Sequence, residues 1–180
     1  MIARPTLGFI GAGKVGTTLA RLLFERDFVI SAVYSRSAIR AEVLADSVDA
    51  KFASSGDEVV ALSDLTFVTV PDDKISEVVG LFSDFDIGSK AIVHTSGVYE
   101  AGVLDTLAAR GAMIGSLHPI FPFADIEQSI KGLPGAAFGV QAESPQLNSW
   151  LREIVSALDG QVLIIGAGQK ALSQCIGFRE

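Results

Sequence analysis

A glycine-rich turn near the start of the chain is the first candidate for chemistry. The pattern G-x-G-x-x-G is typical of turns that bind the pyrophosphate of a dinucleotide, and it is matched by Gly11-Ala12-Gly13-Lys14-Val15-Gly16. The first glycine of this pattern permits the tight turn, the second lets the backbone approach the pyrophosphate, and the third lets helix and strand pack closely. The N-terminus of the following helix favours an anion. We therefore expect these residues to bind a dinucleotide.

A competing nucleotide-binding pattern overlaps this turn. Residues 8–14 also match G-x-x-x-x-G-K, the opening of a nucleoside-triphosphate P-loop. The next residue is Val15, so the hydroxyl ligand for magnesium is missing, and Gly8 falls in a predicted strand. We exclude the P-loop on these grounds. A later pattern, Gly166-Ala167-Gly168, is followed by too few residues to complete a βαβ unit and is predicted to be a turn.

The end of the second predicted strand carries a candidate site for a cofactor phosphate. The chain there reads Tyr34-Ser35-Arg36-Ser37. Enzymes that use NAD place an acidic residue about where Arg36 stands, because a carboxylate accepts a hydrogen bond from the ribose 2′-hydroxyl. A guanidinium flanked by hydroxyls suits a 2′-phosphate instead, and Arg40 adds a second cation one helical turn later. The sequence therefore favours NADP as the cofactor.

Residues at the ends of three further predicted strands form a candidate catalytic rim. We expect Val70 and Pro71 to line one side of the dinucleotide site. His94, Ser96 and His118 carry groups that can donate or accept protons. Imidazoles titrate near neutral pH, and Ser96 is available to orient the ring of His118. The carboxyl ends of parallel strands meet at one edge, so we expect these residues to gather. Each histidine also has a structural alternative, as a loop cap bonded to backbone.

The elements that position these residues follow from strand-length apolar runs that alternate with helical spacing. The predicted strands are Leu7–Ile10, Phe28–Tyr34, Lys51–Ala53, Leu65–Val70, Ala91–His94, Met113–Leu117, Ala137–Val140 and Val162–Ile165. The predicted helices are Lys14–Arg26, one that begins after Ser37, Asp57–Ala61, one that carries Ile75 and Val79, Val103–Arg110, and Pro145–Leu158. After Leu117 the chain is predicted to leave the sheet through His118 and Pro119 into a loop that holds Phe121. These elements indicate an α/β fold of the Rossmann type, a doubly wound and mainly parallel sheet with helices on both faces.

Composition narrows the class of protein. The chain has 180 residues, 49% apolar and 19% charged, with a mean hydropathy of +0.43, which suits a domain-sized core and excludes a disordered chain. A net charge of −7 argues against nucleic acid or a membrane surface as a partner. The single cysteine, Cys175, has no partner for an internal disulfide, and no metal site is expected. No segment reaches the ~18 apolar residues that span a bilayer, so we expect a cytoplasmic protein.

Six motifs in combination resemble a known family. They are F-I-G-A-G-K-V-G with L-A-R-L-L, V-Y-S-R-S, V-T-V-P-D-D-K-I, H-T-S-G and G-S-L-H-P. Together they resemble the N-terminal domain of the NADP oxidoreductase-like proteins, which are related to pyrroline-5-carboxylate reductase and to deazaflavin-dependent NADP reductases. The resemblance implies an NADP-binding Rossmann-like domain over residues 1–165, and a linker or the start of a shortened helical domain over residues 166–180. In that family the helical domain completes the cleft and the dimer, so the resemblance implies a homodimer through that region.

The G-S-L-H-P segment is also similar to the His-Pro segment of prephenate dehydrogenases. This similarity implies that His118 contacts the substrate hydroxyl that is oxidised and that Ser96 orients it. Ile120 stands where those enzymes have methionine.

The sequence leaves several functions open. The first is an NADP-binding oxidoreductase domain that transfers a hydride between nicotinamide and a small imino, keto or hydroxy acid-like substrate. The alternatives are a non-catalytic NADP-binding sensor or regulatory module, and a prephenate dehydrogenase-like enzyme. Turnover against a panel of imino, keto and hydroxy acids separates the enzymes from the binding module.

Overall fold

The computed structural model describes residues 3–82 and 86–165. The strands are β1 (Leu7–Ile10), β2 (Ile30–Tyr34), β3 (Lys51–Phe52), β4 (Leu65–Val68), β5 (Ala91–His94), β6 (Met113–Ile120), β7 (Ala137–Ala142) and β8 (Gln161–Ile164). The helices are α1 (Lys14–Glu25), α2 (Ala38–Ser47), α3 (Gly56–Leu62), α4 (Ile75–Gly80), α5 (Asp105–Ala108), α6 (Ile126–Gly132) and α7 (Pro145–Ala157). Short 3₁₀ turns at Asp72–Lys74 and Ala101–Leu104 lead into α4 and α5.

The strands form one sheet whose order fixes where a ligand can bind. The order is β3-β2-β1-β4-β5-β6-β7-β8, and every pair is parallel except β6 and β7, which are antiparallel. The predicted doubly wound, mainly parallel fold is therefore confirmed. The strand order reverses between β1 and β4, and ligands of such sheets bind in the crevice at the carboxyl ends of the strands beside this reversal.

Both faces of the sheet are covered by apolar layers. Consecutive residues of a strand point to opposite faces, so Phe9 packs in the layer under α1, α2 and α7, whereas Ile10 packs in the layer under α3 and α4. In the first layer the rings of Phe9 and Phe67 stack with centroids 5.1 Å apart. The chemistry of this domain must therefore lie at the strand ends.

Strand β6 is longer than predicted. It was expected to end at Leu117, but it continues to Ile120, so His118 and Pro119 lie within the sheet and pair with β7. Beyond Ser116, β6 no longer pairs with β5, and a proline, which lacks the N–H of a ladder bond, is tolerated on such an edge. The prediction that His118 follows the strand is therefore wrong.

Helix α6 was also missed, because its seven residues were included in a predicted loop. Its N-cap is Asp125, whose carboxylate accepts from the backbone N–H of Gln128 at 2.9 Å. The pair Arg21 to Glu127, 2.6 Å apart, joins α6 to α1. Helix α7 matches its prediction, with a Ser144 cap before Pro145.

Several predictions concern residues outside the two described ranges. These are the turn at Gly166-Ala167-Gly168, the linker or helical domain over 166–180, and Cys175. Across residues 3–82 and 86–165, no helix combines the length and apolar character that membrane crossing requires.

Candidate functional site

The turn between β1 and α1 is built around Gly11 and Gly16. Gly11 has a φ of +115°, which a side chain would strain, and a Cβ there would lie 2.7 Å from the carbonyl oxygen of Thr69. The N–H of Gly11 donates to the carbonyl of Tyr34 at 2.7 Å. A Cβ on Gly16 would collide with the Gly11 carbonyl and the Thr69 hydroxyl. Both glycines thus keep strand, turn and helix in close contact, as the motif predicts.

Gly13 differs from its neighbours because it faces open space. Apart from its chain neighbours, no described residue has a heavy atom within 4 Å of the position that its Cβ would occupy. It is the N-cap of α1, and no side chain caps the helix there. Amides of the first helical turn are therefore left to an external acceptor, which is the arrangement that holds a phosphate group.

Thr69 fixes this turn to the end of β4, and the sequence analysis missed it. Its hydroxyl donates to the Gly11 carbonyl at 2.8 Å, and its N–H donates to the Ile10 carbonyl at 2.9 Å. Thr69 is buried, with 7% of its surface exposed. The V-T-V-P motif contains this residue, but nothing in the sequence alone says that a threonine after β4 will contact the glycine turn.

A cavity of about 350 Å³ joins most of the predicted cofactor residues. Its lining includes Gly11, Ala12, Gly13, Ser35, Arg36, Arg40, Val70 and Pro71. It also includes residues that the sequence analysis did not assign, namely Ile10, Tyr34, Thr69, Lys74, Glu77, Val78 and Leu81. The cavity thus lies between the ends of β1, β2 and β4, beside the reversal of strand order.

The remaining predicted cofactor residues lie outside this lining. Lys14 lines a second, larger cavity of about 630 Å³ on the other side of the turn, which shares Ala12, Gly13 and Arg40 with the first. Val15 packs against the core. Ser37 is the N-cap of α2, without a capping bond from its side chain. The larger cavity touches none of the ends of β2, β4 and β5, so we place the site at the smaller one.

The smaller cavity has a cationic side. Arg36 and Arg40 are exposed, and within the described residues neither forms an ion pair, whereas Lys74 pairs with Glu77 at 3.1 Å. Two uncompensated guanidinium groups beside the end of β2 suit an anionic group of a ligand. A chain with a net charge of −7 therefore still offers a local anion site.

The register of the sheet brings the segments that carry the candidate catalytic residues next to one another. Val68 pairs with His94, and His94 pairs with Ser116. Two positions further along each chain are Val70, Ser96 and His118. These three positions follow the last paired residues, Val68 of β4, His94 of β5 and Ser116 in the part of β6 that faces β5. Of the three, Val70 lines the smaller cavity, whose lining does not include Ser96 or His118.

His94 is held by backbone groups. It is 0% exposed, its Nδ1 accepts from the N–H of Ser96 at 3.2 Å, and its Nε2 donates to the carbonyl of Glu100 at 3.0 Å. Both ring nitrogens thus fold the loop after β5. This is the geometry of a loop cap, the alternative that the sequence left open.

Ser96 organises the same loop. Its hydroxyl oxygen accepts from the N–H groups of Val98 at 3.0 Å and Tyr99 at 3.1 Å. We expected it to orient the ring of His118. In the structure that ring is oriented by Thr95, whose carbonyl oxygen lies 3.2 Å from Nδ1. His118 is half-buried and pairs with Gly139 of β7, so its backbone is fixed in the sheet.

Comparison with solved structures identifies the fold. A Bacteroides fragilis protein described as an NADP oxidoreductase matches with a TM-score of 0.82 and 24% identity, over 98% of this chain and 65% of its own. An Aspergillus terreus reductive aminase, solved with NADPH and ethyl-5-oxohexanoate, matches with a TM-score of 0.74 and 19% identity, over 97% of this chain and 60% of its own. A Plasmodium falciparum pyrroline carboxylate reductase, solved with NADP, matches with a TM-score of 0.73 and 16% identity, over 96% of this chain and 62% of its own.

These comparisons agree with the sequence resemblance at the level of fold. The chain spans less than two thirds of the length of each of these structures. No curated protein matches it in sequence. A family model described as a Rossmann-like domain matches residues 1–119, which cover the glycine turn, the cavity and the rim. The chain belongs to the Rossmann-like domain family.

Proposed function

We propose that this chain is the cofactor-binding domain of an NADP-dependent oxidoreductase. The observation that carries the proposal is the open space at Gly13, which leads into a cavity edged by Arg36 and Arg40. A pyrophosphate fits the uncapped N-terminus of α1, and a 2′-phosphate fits the two guanidinium groups. The solved structures with NADPH or NADP support the choice of cofactor.

In this proposal each part of the chain has one task. The amides around Gly13 bind the pyrophosphate, and Arg36 and Arg40 bind the 2′-phosphate. Val70 and Pro71 line one side of the dinucleotide site. When bound, the nicotinamide supplies the hydride chemistry. His118, on β6, exchanges a proton with the substrate.

The proposed substrate is a small molecule with a carbon–nitrogen or carbon–oxygen bond to reduce or oxidise, of the imino, keto or hydroxy acid class. Similarity of fold to a reductive aminase and to a pyrroline carboxylate reductase supports the imine side of this class. A half-buried imidazole at the rim suits either direction, because it can give or take the proton that accompanies the hydride.

We further propose that additional polypeptide covers the edge of the sheet at β8 and that the protein works as a homodimer. Leu163 and Ile164 are 45% and 59% exposed on this edge strand, and exposed apolar edges favour association. Light scattering of the chain should show self-association, and Leu163→Glu should reduce it. A monodisperse monomer would contradict this part of the proposal.

Calorimetric titration with NADPH and NADH tests the cofactor assignment. We expect NADPH to bind more tightly, and equal affinities would overturn the assignment to NADP. Turnover is then measured with NADPH against a panel of cyclic imines, keto acids and hydroxy acids. Tight NADPH binding without turnover of any of them would favour a non-catalytic NADP-binding module instead.

A further inference from the structure

Gly97, the last residue of the H-T-S-G motif, lies directly against the ring of His118. A Cβ on Gly97 would lie 2.6 Å from Cε1, 2.7 Å from Nε2 and 3.1 Å from Nδ1 of that ring. Real Cβ atoms essentially never approach closer than 3.0 Å. The imidazole therefore occupies the volume that any other residue at position 97 would need.

Position 97 requires glycine because a side chain has no room there, and not because the backbone adopts a conformation that only glycine favours. The described glycines with positive φ are Gly11, Gly111 and Gly135, so Gly97 adopts a conformation open to other residues. A methyl group at position 97 would have to displace its neighbour. The backbone of His118 is fixed in β6 by its pairing with Gly139, whereas its ring can rotate. We therefore expect Gly97→Ala to move the imidazole and to leave the fold intact.

The carbonyl of Thr95 determines where the ring carries its hydrogen. A carbonyl oxygen can only accept, so the Nδ1 of His118, 3.2 Å away, is the donor. In the neutral imidazole, which has one N–H, Nε2 is then the ring nitrogen that carries no hydrogen. The same loop thus fixes both the orientation of the ring and its tautomer.

We propose that Gly97 and the carbonyl of Thr95 together position the ring of His118. The ring then carries its hydrogen on Nδ1, and Nε2 is the atom that can accept a proton. Gly97 is a positioning residue in this arrangement, since it acts only through His118. The inference rests on the proposed function, because His118 is the residue proposed there to exchange a proton with the substrate.

His94 serves as an internal reference in the same spectrum, because its ring is in the other neutral tautomer. Its Nδ1 accepts from the N–H of Ser96 and its Nε2 donates to Glu100, so its hydrogen is on Nε2. These are the only two histidines of the chain. Long-range ¹H–¹⁵N spectra of the imidazole rings distinguish the two tautomers, and each signal can be assigned by substituting one histidine.

The test is this spectrum for the ¹⁵N-labelled protein without ligand and for two variants. We expect the unmodified protein to show the Nδ1–H form for His118 and the Nε2–H form for His94. In Gly97→Ala the ring of His118 should lose its fixed position, and its signals should become an average of the two tautomers. The signals of His94 and the melting temperature should stay unchanged. The matched control is Gly102→Ala, where a Cβ would make an ordinary contact of 3.4 Å with Asp105. This control should change neither ring.

Two results would overturn the inference. One is an Nε2–H or averaged His118 in the unmodified protein, and this measurement depends on no variant. The other is a His118 spectrum that Gly97→Ala leaves unchanged. Neither result bears on cofactor binding, whereas failure to bind NADPH would overturn the proposed function and leave these spectra as expected.

A kinetic measurement extends the test once a substrate turns over. A displacement of about 1 Å at a reacting group costs about 10²-fold in rate. Gly97→Ala should therefore lower kcat about 10²-fold with the Kd for NADPH unchanged. A kcat equal to that of the unmodified protein would show that the positioning of His118 by Gly97 does not contribute to the reaction.

Discussion

Gly13 and Gly16 lie one helical turn apart and have opposite surroundings. A side chain at Gly13 would project into open space, whereas one at Gly16 would meet the carbonyl of Gly11 and the side chain of Thr69. The same motif therefore contains one glycine that leaves room for a ligand and one that leaves room for the protein itself. Substitutions at the two positions should consequently have different effects, one on binding and the other on stability.

Gly13→Val is expected to abolish binding of NADPH without unfolding the domain. Gly13 has a φ of −86° and a ψ of −173°, an extended conformation that valine adopts readily, but its side chain would fill the place of the pyrophosphate. Calorimetric titration and thermal melting should be measured together. The control is Gly80→Val, where the added side chain also enters open space and where binding should persist. Retained binding in Gly13→Val would mean that the pyrophosphate lies elsewhere.

Gly16→Ala is expected to destabilise the domain before any ligand is added. The obstructing carbonyl of Gly11 belongs to a turn that bonds to both β2 and β4, so the neighbour cannot move freely. Overpacking of this kind costs about 1–3 kcal/mol in the free energy of unfolding. Urea unfolding of the two proteins measures the difference. A variant as stable as the unmodified protein would show that helix and turn can separate without cost.

The sequence predicted the elements whose signal is local. The glycine turn, the order of strands and helices, and Arg36 at the end of β2 all follow from spacing along the chain. The position of His118 did not, because its place in β6 depends on pairing with β7, about twenty residues further on. Helix α6 has only seven residues, too few to show a clear period. Contacts of Thr69 with Gly11 and of Gly97 with His118 join distant segments, and such contacts leave no spacing to recognise.

Arg36→Ala is expected to weaken binding of NADPH and to leave binding of NADH nearly unchanged. A charge-assisted contact contributes about 1.5–3 kcal/mol, so the Kd for NADPH should rise roughly ten-fold or more. Arg152→Ala is the matched control, since Arg152 is exposed on α7 and bonds to Asn148, away from the cavity. Equal losses for NADPH and NADH in Arg36→Ala would remove this residue from recognition of the 2′-phosphate.

The N-terminus of α3 should make stability depend on acid pH. A hydrogen bond from Lys51, followed by bonds from the backbone and side chain of Ser54, lowers the pKa of Glu58 from 4.5 to about 2. Because the pKa is lower in the folded state, the carboxylate stabilises the fold fully above pH 4.5, and this contribution is lost as the pH falls towards 2.

Glu58→Gln should therefore lower the free energy of unfolding at neutral pH, and its difference from the unmodified protein should shrink with acidification over that range. Urea unfolding at a series of pH values measures this. Lys51→Met removes the first partner and should reproduce much of the effect, with less than additive loss in the double variant. Parallel stability curves for Glu58→Gln and the unmodified protein would contradict the assignment.

His118→Asn separates a catalytic from a structural role for this residue. The asparagine amide can still donate to the carbonyl of Thr95, so the loop keeps its bond, but an amide cannot exchange a proton near neutral pH. A catalytic role predicts a loss of about 10²–10⁴ in turnover with unchanged affinity for NADPH. His94→Asn is the control, and because the bond to Glu100 would be lost from a buried site, it should lower the melting temperature. If His118→Asn has a lower melting temperature but a normal turnover per folded molecule, His118 is a structural cap. The proton then comes from another group.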